Sequence, residues 1–365
     1  MTDYPIAEKT LDRPVALSVP TDVNDEREVD PSSSERDPLA KKFLNVRTAL
    51  SFLLGIGILL FVLSRVDVDV EQIIARLKTT NLAYFGAALV LYYLTFIVRA
   101  LRWRKLLENV GYGEGTPIAL PPVRGIAEIV LLSWFANCIV PAKLGDAYRA
   151  YLLKRESGVS FSKTFGTILA ERIMDMLILF VLLVGSVLLA FHGTMPSVIF
   201  SIMQVGIVLA SMVVVGLVVM RQMGGHIERL IPKRYRAQYA LFQEGTLGSF
   251  QSLPLVLTLS VAGWAIEAGR LFLVCMSLGL TGLSPAIVLF VALASALLTT
   301  LPVTPAGLGF VESSIVGILI LAANFGLAPG INENVATSVA ILDRLISYWS
   351  LILVGMVVYA VSRKR

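Results

Sequence analysis

The sequence predicts an all-α integral membrane protein that crosses the bilayer several times. Hydrophobic residues make up 56% of its 365 residues and charged residues only 16%, whereas an ordinary soluble domain is about 25% charged. Several apolar runs are longer than the roughly 18 residues that mark a spanning helix. These runs are also too long and too continuously apolar for barrel strands, in which lipid-facing residues alternate with polar ones.

Six full spans are predicted after an acidic tail. Residues 1–40 hold ten acidic and four basic residues together with many Pro and Ser, a composition that predicts a disordered cytoplasmic tail. Residues 41–365 are predicted to form one membrane domain, with a basic, polar loop at 221–253. Its spans are expected at about 46–63, 82–98, 165–191, 198–220, 255–278 and 335–361.

Two further apolar segments are interrupted by proline and glycine. The first breaks at Pro141-Ala-Lys-Leu-Gly145 and the second at Pro305-Ala-Gly-Leu-Gly309. Proline removes a backbone donor and glycine favours conformations that a helix cannot hold, so each segment must turn at this point. Because lipid cannot satisfy the freed backbone groups, protein or a water-filled cavity must surround each break. We therefore interpret both segments as re-entrant helical hairpins whose tips border a transport site.

The two hairpins belong to a predicted internal repeat. Pro-Ala-x-Leu-Gly occurs at both breaks, and each copy leads to a helix with an acid next to an arginine, Glu171-Arg172 in the first and Asp343-Arg344 in the second. A proline break followed by an acid and an arginine, found twice, indicates a duplication. The expected bounds of the repeats are about 82–191 and about 255–361.

The distribution of lysine and arginine predicts the orientation. If each hairpin enters and leaves on one side, the basic segments share a side of the membrane, which the positive-inside rule identifies as the cytoplasm. Both termini are then cytoplasmic, and the hairpins enter from opposite sides, so the repeats are inverted. The connection 64–81 is the exception, with three basic residues. The cytoplasmic segments are 99–125, 143–163 and 221–253, and the outer loops near 192–197, 279–284 and 326–334 contain no Lys or Arg.

Charged residues inside spanning helices are candidates for a substrate site. Glu171, Arg172 and Asp175 share one predicted helix, and the spacing of four places Glu171 and Asp175 on the same face. Each such charge costs at least about 2.5–3.5 kcal/mol on insertion scales, so it should face the protein interior and pair. Two roles remain open for these residues and for Asp343 and Arg344: structural ion pairing or contact with substrate.

The hairpin tips are predicted anion sites. We expect helices to begin just after Gly145 and Gly309, where free amides and the positive end of the helix dipole favour a negative charge. A phosphate brought there could be held by these amides together with Arg149 and with Arg172 or Arg344.

Other polar residues near the breaks have competing roles. Asp146 and Glu312 are expected to cap the helices that follow the tips. Asn137 and the threonines 299, 300 and 304 could line a cavity or only bond to neighbouring helices.

Two more charged groups are expected to have structural roles. The basic cluster at 99–105 follows a span and is interpreted as a set of interface anchors that reach toward water. Glu267 and Arg270, three residues apart in a later span, are expected to form a structural pair.

The sequence gives no sign of a metal, a cofactor or a nucleic-acid partner. Its histidines, His192 and His226, are isolated, and Cys138 and Cys275 lie inside apolar runs, where packing is their expected role. Outside the acidic tail the chain carries a formal charge of +11, which suits anionic lipid headgroups better than nucleic acid.

One long motif resembles a known family. It reads Asn137-x-x-x-Pro141-x-x-x-Gly145-Asp146-x-x-Arg149, followed by Glu171-Arg172-x-x-Asp175. With Pro305-x-Gly-x-Gly309-x-x-Glu312 and Arg344, it resembles the transmembrane region of lysylphosphatidylglycerol synthases, a flippase-like domain family, over about 46–361. In the full-length synthases this region is associated with moving aminoacylated phosphatidylglycerol between leaflets, and a soluble aminoacyl-transferase domain follows it. This sequence stops at Arg365, so the resemblance implies lipid movement without aminoacylation.

The sequence as a whole predicts translocation of a phospholipid or another anionic lipid-linked substrate across a bacterial or archaeal cytoplasmic membrane, without a cofactor and with an oligomer possible. Two alternatives remain: an intramembrane enzyme that uses Glu171 with Asp175 on a lipid or polyprenyl phosphate, and a non-transporting partner of an envelope lipid or glycan synthesis complex. The predicted substrate-binding residues are Asn137, Pro141, Gly145, Asp146, Arg149, Glu171, Arg172, Asp175, Pro305, Gly309, Glu312, Asp343 and Arg344.

Overall fold

The computed structural model describes residues 50, 53–54, 56–57, 69–113, 115–116, 118–140, 143–190, 197–299 and 304–362. Between residues 69 and 362 the described chain forms twelve α-helices and no strand. The all-α prediction is therefore confirmed. The helices are α1 (Val70–Lys78), α2 (Leu82–Asn109), α3 (Val123–Ile139), α4 (Leu144–Ser157), α5 (Phe161–Ala190), α6 (Ser197–Leu230), α7 (Lys233–Gly248), α8 (Leu253–Ser277), α9 (Pro285–Thr299), α10 (Phe310–Asn324), α11 (Glu333–Arg344) and α12 (Leu351–Val361).

Six helical segments are long and apolar enough to cross a membrane. Five of them correspond to predicted spans. The sixth, Pro305–Asn324, belongs to the second predicted hairpin. The predicted tail 1–40 and most of the predicted first span 46–63 lie outside the described residues. The six segments are Leu82–Asn109, Phe161–Ala190, Gly206–Leu230, Leu253–Ser277, Pro305–Asn324 and Glu333–Val361.

Short polar caps fix several helix starts. The Asp69 carboxylate accepts from the amide of Glu71 at 2.9 Å at the start of α1, and Asn81 accepts from Ala83 at 3.0 Å at the start of α2. Each side chain satisfies an amide that has no partner within its own helix. These caps explain why the two helices begin directly after Asp69 and Asn81.

Both interrupted segments form pairs of packed helices. Helices α3 and α4 contact each other, as do α9 and α10. These four helices contain 17, 14, 15 and 15 residues, and α10 reaches the length of a span only together with the turn that precedes it, as Pro305–Asn324. Helix, break and helix therefore occur twice, while entry of each pair from one side of the membrane stays a prediction.

A glycine allows the first pair to pack closely. A Cβ atom at Gly145 would lie 2.1 Å from the carbonyl oxygen of Ser133 and 2.7 Å from Oδ1 of Asn137. Both residues also bond to this glycine: Ser133 Oγ donates to the Gly145 carbonyl at 2.8 Å, and the Gly145 amide donates to Asn137 Oδ1 at 2.9 Å. Any side chain at this position would force α3 and α4 apart.

Left-handed backbone occurs at both breaks. Lys143, just before α4, has a φ of 52°, and Ala306, between α9 and α10, has a φ of 44°. Residues other than glycine rarely adopt this conformation, because the Cβ atom crowds the backbone. Gly309 also has a positive φ, of 85°. Pro141 lies outside the described residues.

Helices α2 and α8, the first helices of the two predicted repeats, lie antiparallel. The amide of Asn81 at the start of α2 donates to the carbonyl of Ser277 at the end of α8, at 2.8 Å. Further along, Arg102 Nη1 donates to Ser260 Oγ at 3.0 Å. Residue numbers therefore rise along α2 as they fall along α8. Two repeats related by an axis in the membrane plane require this arrangement of their first helices.

Helix contacts in the first half recur in the second. Helix α2 packs on α3 and α5, and α4 packs on α5; in the same way α8 packs on α9 and α11, and α10 packs on α11. Contacts between the halves also correspond, because α5 packs on α9 and α12 packs on α3. This correspondence supports the predicted repeat.

The predicted polar loop at 221–253 is mostly helical. Helix α6 continues to Leu230, and α7 follows after two residues. Helix α7 packs on α5 at two glycines: a Cβ atom would lie 2.3 Å from the Phe242 carbonyl at Gly166 and 2.0 Å from the Lys163 carbonyl at Gly245. This close packing holds a charged segment as a helix, although its composition is typical of a loop.

Candidate substrate site

A cavity of about 380 Å³ lies between the two halves. Both breaks contribute to its wall, through Lys143 in the first and Ala306 in the second. Further lining residues come from α2, α3, α4, α5, α8, α9, α10 and α11. The wall is unusually charged for a cavity among apolar helices. Its basic residues are Arg99, Arg102, Lys143, Arg172, Arg270 and Arg344, and its acidic residues are Asp146, Asp175, Glu267 and Asp343.

Arg102 of α2 holds two acids of α5. Its Nη2 donates to Glu171 Oε1 at 2.7 Å and to Asp175 Oδ2 at 3.0 Å. The arginine is only 4% exposed.

Arg102 is therefore not an interface anchor, and neither is Arg99, which lines the same cavity and pairs with Glu267. The prediction is wrong for these two members of the 99–105 cluster. The cluster follows an apolar run and therefore looked like the end of a span. Helix α2 instead continues through the cluster to Asn109, and Arg102 contacts α5.

Glu171 lies between two arginines. On the side away from Arg102, Nη1 of Arg149 lies 2.9 Å from Glu171 Oε2. The Arg149 guanidinium stacks over the Trp103 ring, with Cζ 3.7 Å from the ring centroid, and the residue is 1% exposed. Cation–π contact and ion pairing together stabilise a charge that would be costly to bury alone. Arg149 thus lies behind the cavity wall and supports Glu171.

Arg172 binds the first hairpin tip rather than its sequence neighbour Glu171. Its Nε donates to Asp146 Oδ2 at 2.9 Å and its Nη2 donates to Oδ1 at 2.6 Å. Asp146 therefore does not cap α4 through its side chain, and the prediction that it does is wrong. The Arg172 side chain is 27% exposed and faces the cavity.

The tip amides predicted to bind an anion are already used. The Gly145 amide donates to Asn137, as described above, and the Gly309 amide donates to Glu312 Oε2 at 2.8 Å. Helix α4 also begins at Leu144, one residue before Gly145. The amides at Gly145 and Gly309 thus stabilise the tips, and side chains supply most of the positive charge that the cavity presents.

Arg344 binds the second hairpin tip. Its Nε donates to Glu312 Oε1 at 2.8 Å and its Nη2 donates to the Ala306 carbonyl at 3.3 Å. Because Glu312 also accepts from Gly309, the prediction that it caps α10 is confirmed. Arg344 and Arg172 therefore make the same kind of contact, each with an acid at the tip of its own hairpin.

Arg270 of α8 has the role that Arg102 has in α2. It donates to Glu267 at 3.1 Å and also bonds to Asp343 of α11. Arg102 and its acid Asp175 are separated by 73 residues, as are Arg270 and Asp343. The Glu267–Arg270 pair is thus one part of a network that reaches α11, as Arg102 reaches α5.

The thirteen predicted residues divide into four groups. Three shape the hairpin tips: Gly145, Pro305 and Gly309. Three lie behind the cavity wall: Glu171 pairs with Arg102, Arg149 pairs with Glu171, and Glu312 pairs with Arg344. Pro141 lies outside the described residues. The remaining six line the cavity: Asn137, Asp146, Arg172, Asp175, Asp343 and Arg344.

Sequence reasoning missed five charged residues of this wall as site residues: Arg99, Arg102, Glu267, Arg270 and Lys143. One signal could have found Arg102 and Arg270, because each follows another charged residue, Arg99 or Glu267, by three positions in the first helix of its repeat. Lys143 was visible only as part of the proline break.

A model of one family, the lysylphosphatidylglycerol synthase TM region, matches residues 48–355. The chain belongs to this family. The match includes both hairpins and every residue named above as part of the wall. The predicted resemblance is therefore confirmed.

Similar proteins of this family occur in archaea. A UPF0104 membrane protein of Methanocaldococcus jannaschii is 36% identical over 231 residues, which cover 63% of this chain and 95% of that protein. A UPF0104 membrane protein of Pyrococcus horikoshii is 24% identical over 341 residues, which cover 86% of this chain and 97% of that protein. The glycosyltransferase AglD of Haloferax volcanii is 29% identical over 125 residues, 33% of this chain and 19% of that protein. The two UPF0104 relatives and the six apolar helices of this chain support a multi-pass membrane protein.

Proposed function

We propose that this member of the lysylphosphatidylglycerol synthase transmembrane-region family moves a phospholipid, or another anionic lipid-linked substrate, between the leaflets of its membrane. One observation carries the proposal: Arg172 and Arg344 face a single cavity from matching positions, each bound to its own hairpin tip. A site between two inverted halves can open to one side and then to the other.

The charged wall supports a polar cargo. Ionisable residues inside a membrane are costly and usually mark a path for a polar or charged substrate. A lipid headgroup cannot cross hydrocarbon without losing its hydration, and ionic side chains along a cavity replace part of that hydration. Trp134 and Trp264 also line the cavity, and they offer apolar surface against which the lipid portion could pack.

The proposal includes an orientation. Basic segments at 143–163 and 221–253 are placed in the cytoplasm with both termini, and the hairpins enter the bilayer from opposite sides. The membrane is the cytoplasmic membrane of a bacterium or an archaeon. The distribution of lysine and arginine and the antiparallel packing of α2 on α8 support this orientation.

Reconstitution tests the proposal. The purified full chain is placed in vesicles that contain phosphatidylglycerol with a fluorescent headgroup, and a membrane-impermeant reductant bleaches the label in the outer leaflet. With the protein present we expect the bleached fraction to exceed the outer-leaflet half, because inner-leaflet lipid is moved outward. A fraction equal to that of protein-free vesicles, for phosphatidylglycerol and for a labelled polyprenyl phosphate, would contradict the proposal.

The similarity to AglD favours one alternative substrate, a lipid-linked glycan precursor, because that relative is a glycosyltransferase. The polyprenyl phosphate arm of the vesicle experiment addresses it. An enzyme that uses Glu171 with Asp175 is less well supported, since Arg102 binds both carboxylates and leaves neither of them free to act on a substrate. Mass spectrometry of the lipids after the assay would detect any chemical change.

A further inference from the structure

The charges around the cavity balance, with one exception. Among the described residues, each arginine of the cavity wall and the supporting Arg149 forms an ion pair with at least one carboxylate, and each carboxylate is paired with an arginine. With every group in its ordinary charged form, these residues carry no net charge. The arginines are Arg99, Arg102, Arg149, Arg172, Arg270 and Arg344, and the carboxylates are Asp146, Glu171, Asp175, Glu267, Glu312 and Asp343.

Lys143 is the exception. It lines the cavity, and within the described part of the chain it forms no ion pair with a carboxylate. Its left-handed backbone, with a φ of 52°, is costly for a residue with a side chain. The second break has Ala306 and Gly307 in the corresponding stretch, so this positive charge has no counterpart in the other half.

A partly buried ammonium group without a counter-ion is unfavourable unless a ligand supplies the negative charge. Lys143 lies three residues before Asp146, the acid that Arg172 holds at 2.6 Å. Asp146 and Asp175 attract Lys143 without forming an ion pair with it, and each is already paired with an arginine, Arg172 or Arg102. Lys143 is therefore the positive charge in excess at this tip. A phosphate group in the cavity would neutralise it, and the partly exposed Arg172 could share one of the phosphate oxygens.

We propose that Lys143 selects the charge of the substrate, and that the cavity takes a lipid whose headgroup is a phosphodiester with one negative charge. This inference rests on the proposed function and specifies its substrate. A single negative charge makes the site neutral. A diphosphate carries more than one negative charge, and the excess would remain unpaired in a medium of low dielectric constant or would require existing ion pairs to break.

Equilibrium binding to the purified full chain in detergent tests the inference. Because Trp134 and Trp264 line the cavity, tryptophan fluorescence reports occupancy. The probes are dihexanoylphosphatidylglycerol (one negative charge), dihexanoylphosphatidylcholine (no net charge) and geranylgeranyl diphosphate (more than one). Glycerophosphoglycerol, the same headgroup without chains, separates a lipid site from a site for a free phosphodiester. We expect phosphatidylglycerol to bind about tenfold more tightly than each of the other three.

Three variants assign the preference to one side chain. Lys143→Gln should weaken phosphatidylglycerol binding about tenfold and phosphatidylcholine binding less, because the choline ammonium group of phosphatidylcholine already balances its phosphate charge. Lys143→Arg should bind like the wild type. Lys154→Gln, which removes the same charge from the exposed side of α4, is the matched control and should also bind like the wild type.

Two results would overturn the inference: Lys143→Gln that binds phosphatidylglycerol as the wild type does, or a wild type that prefers the diphosphate. The second result needs no variant, so the inference stays testable if Lys143→Gln does not fold. Translocation is judged separately in vesicles. If binding depends on lipid charge and on Lys143 but no lipid moves, only the proposed function is contradicted. If lipid moves but Lys143→Gln does not change binding, only this inference is contradicted.

Discussion

Arg99 of α2 and Glu267 of α8 bind each other across the boundary between the two halves, with Arg99 Nη2 3.0 Å from Glu267 Oε1. Three positions after Arg99, Arg102 bonds to Asp175 of α5. Three positions after Glu267, Arg270 bonds to Asp343 of α11. The pair therefore connects the two charge networks at the contact between antiparallel helices. Arg99 also lies over the Trp134 ring, with Cζ 4.1 Å from its centroid.

This connection predicts an order of stabilities. Glu267 pairs with both Arg99 and Arg270, so Glu267→Gln breaks two ion pairs. Arg99→Gln breaks only one, because Glu267 still pairs with Arg270. Breaking a buried pair can cost roughly 3–5 kcal/mol, and these side chains keep some exposure, so we expect losses of about 1–3 kcal/mol, larger for Glu267→Gln. The midpoint of thermal unfolding in detergent measures the difference.

Arg104→Gln is the matched control for this order. Its pair with Glu108 lies on the partly exposed surface of the same helix, where an ion pair contributes about 0–1 kcal/mol. A Glu267→Gln variant as stable as Arg104→Gln would show that the boundary pair does not stabilise the fold.

The first hairpin should be intolerant of a methyl group at Gly145. Gly145→Ala places a Cβ atom 2.1 Å from the Ser133 carbonyl, so α3 and α4 must separate and the cavity wall must shift. We expect a loss of at least about 1–3 kcal/mol in stability and a loss of lipid movement in vesicles. Gly185→Ala on α5 is the control, because a Cβ atom there meets nothing within 4 Å; equal behaviour of the two variants would contradict the close packing described here.

The proposed orientation predicts which sites are reached from outside the cell. Both native cysteines are only 1% exposed, so they should give little background labelling. A cysteine at the exposed Thr281, in a loop without Lys or Arg, should react with an impermeant thiol reagent in intact cells. A cysteine at the exposed Glu156, in the basic segment, should react only after the cells are opened. Labelling of Glu156→Cys from outside would exclude a first hairpin that enters from the cytoplasm.

The apolar periodicity of the sequence was enough to predict the helices, and composition was enough to predict the membrane. The proline breaks located both pairs of packed helices, because only a few residue types can interrupt a helix; that each pair is re-entrant stays a prediction. The bounds of α2 were predicted less well: a basic cluster looks like the end of a span, yet the helix continues to Asn109 and carries Arg102 into the protein. Local charge alone could not distinguish an anchor at the interface from a buried partner of Glu171.

Pairing was the part of the site that sequence could not provide. Glu171 and Arg172 are adjacent in sequence, and adjacent side chains on a helix point in different directions. Glu171 therefore pairs with Arg102 and Arg149, while Arg172 pairs with Asp146. Only the packing of α2, α4 and α5 determines these partners.

The central claim is that Arg172 and Arg344 serve one substrate site from two matching positions. Arg172→Ala leaves Asp146 without its arginine, and Arg344→Ala does the same to Glu312. Each is therefore compared with a double variant in which the stranded acid is neutralised, Arg172→Ala with Asp146→Asn and Arg344→Ala with Glu312→Gln. The neutral acids separate loss of a substrate contact from the cost of an unpaired buried charge.

The most direct measurement is the rate at which headgroup-labelled phosphatidylglycerol crosses vesicles that contain these variants, with folded yield determined for each by size-exclusion chromatography. We predict that both double variants are recovered in folded form and that both lower the rate by at least about tenfold, because each removes a charged contact of roughly 1.5–3 kcal/mol. Wild-type rates in either folded double variant would contradict a shared substrate site and would show that its arginine only stabilises a hairpin.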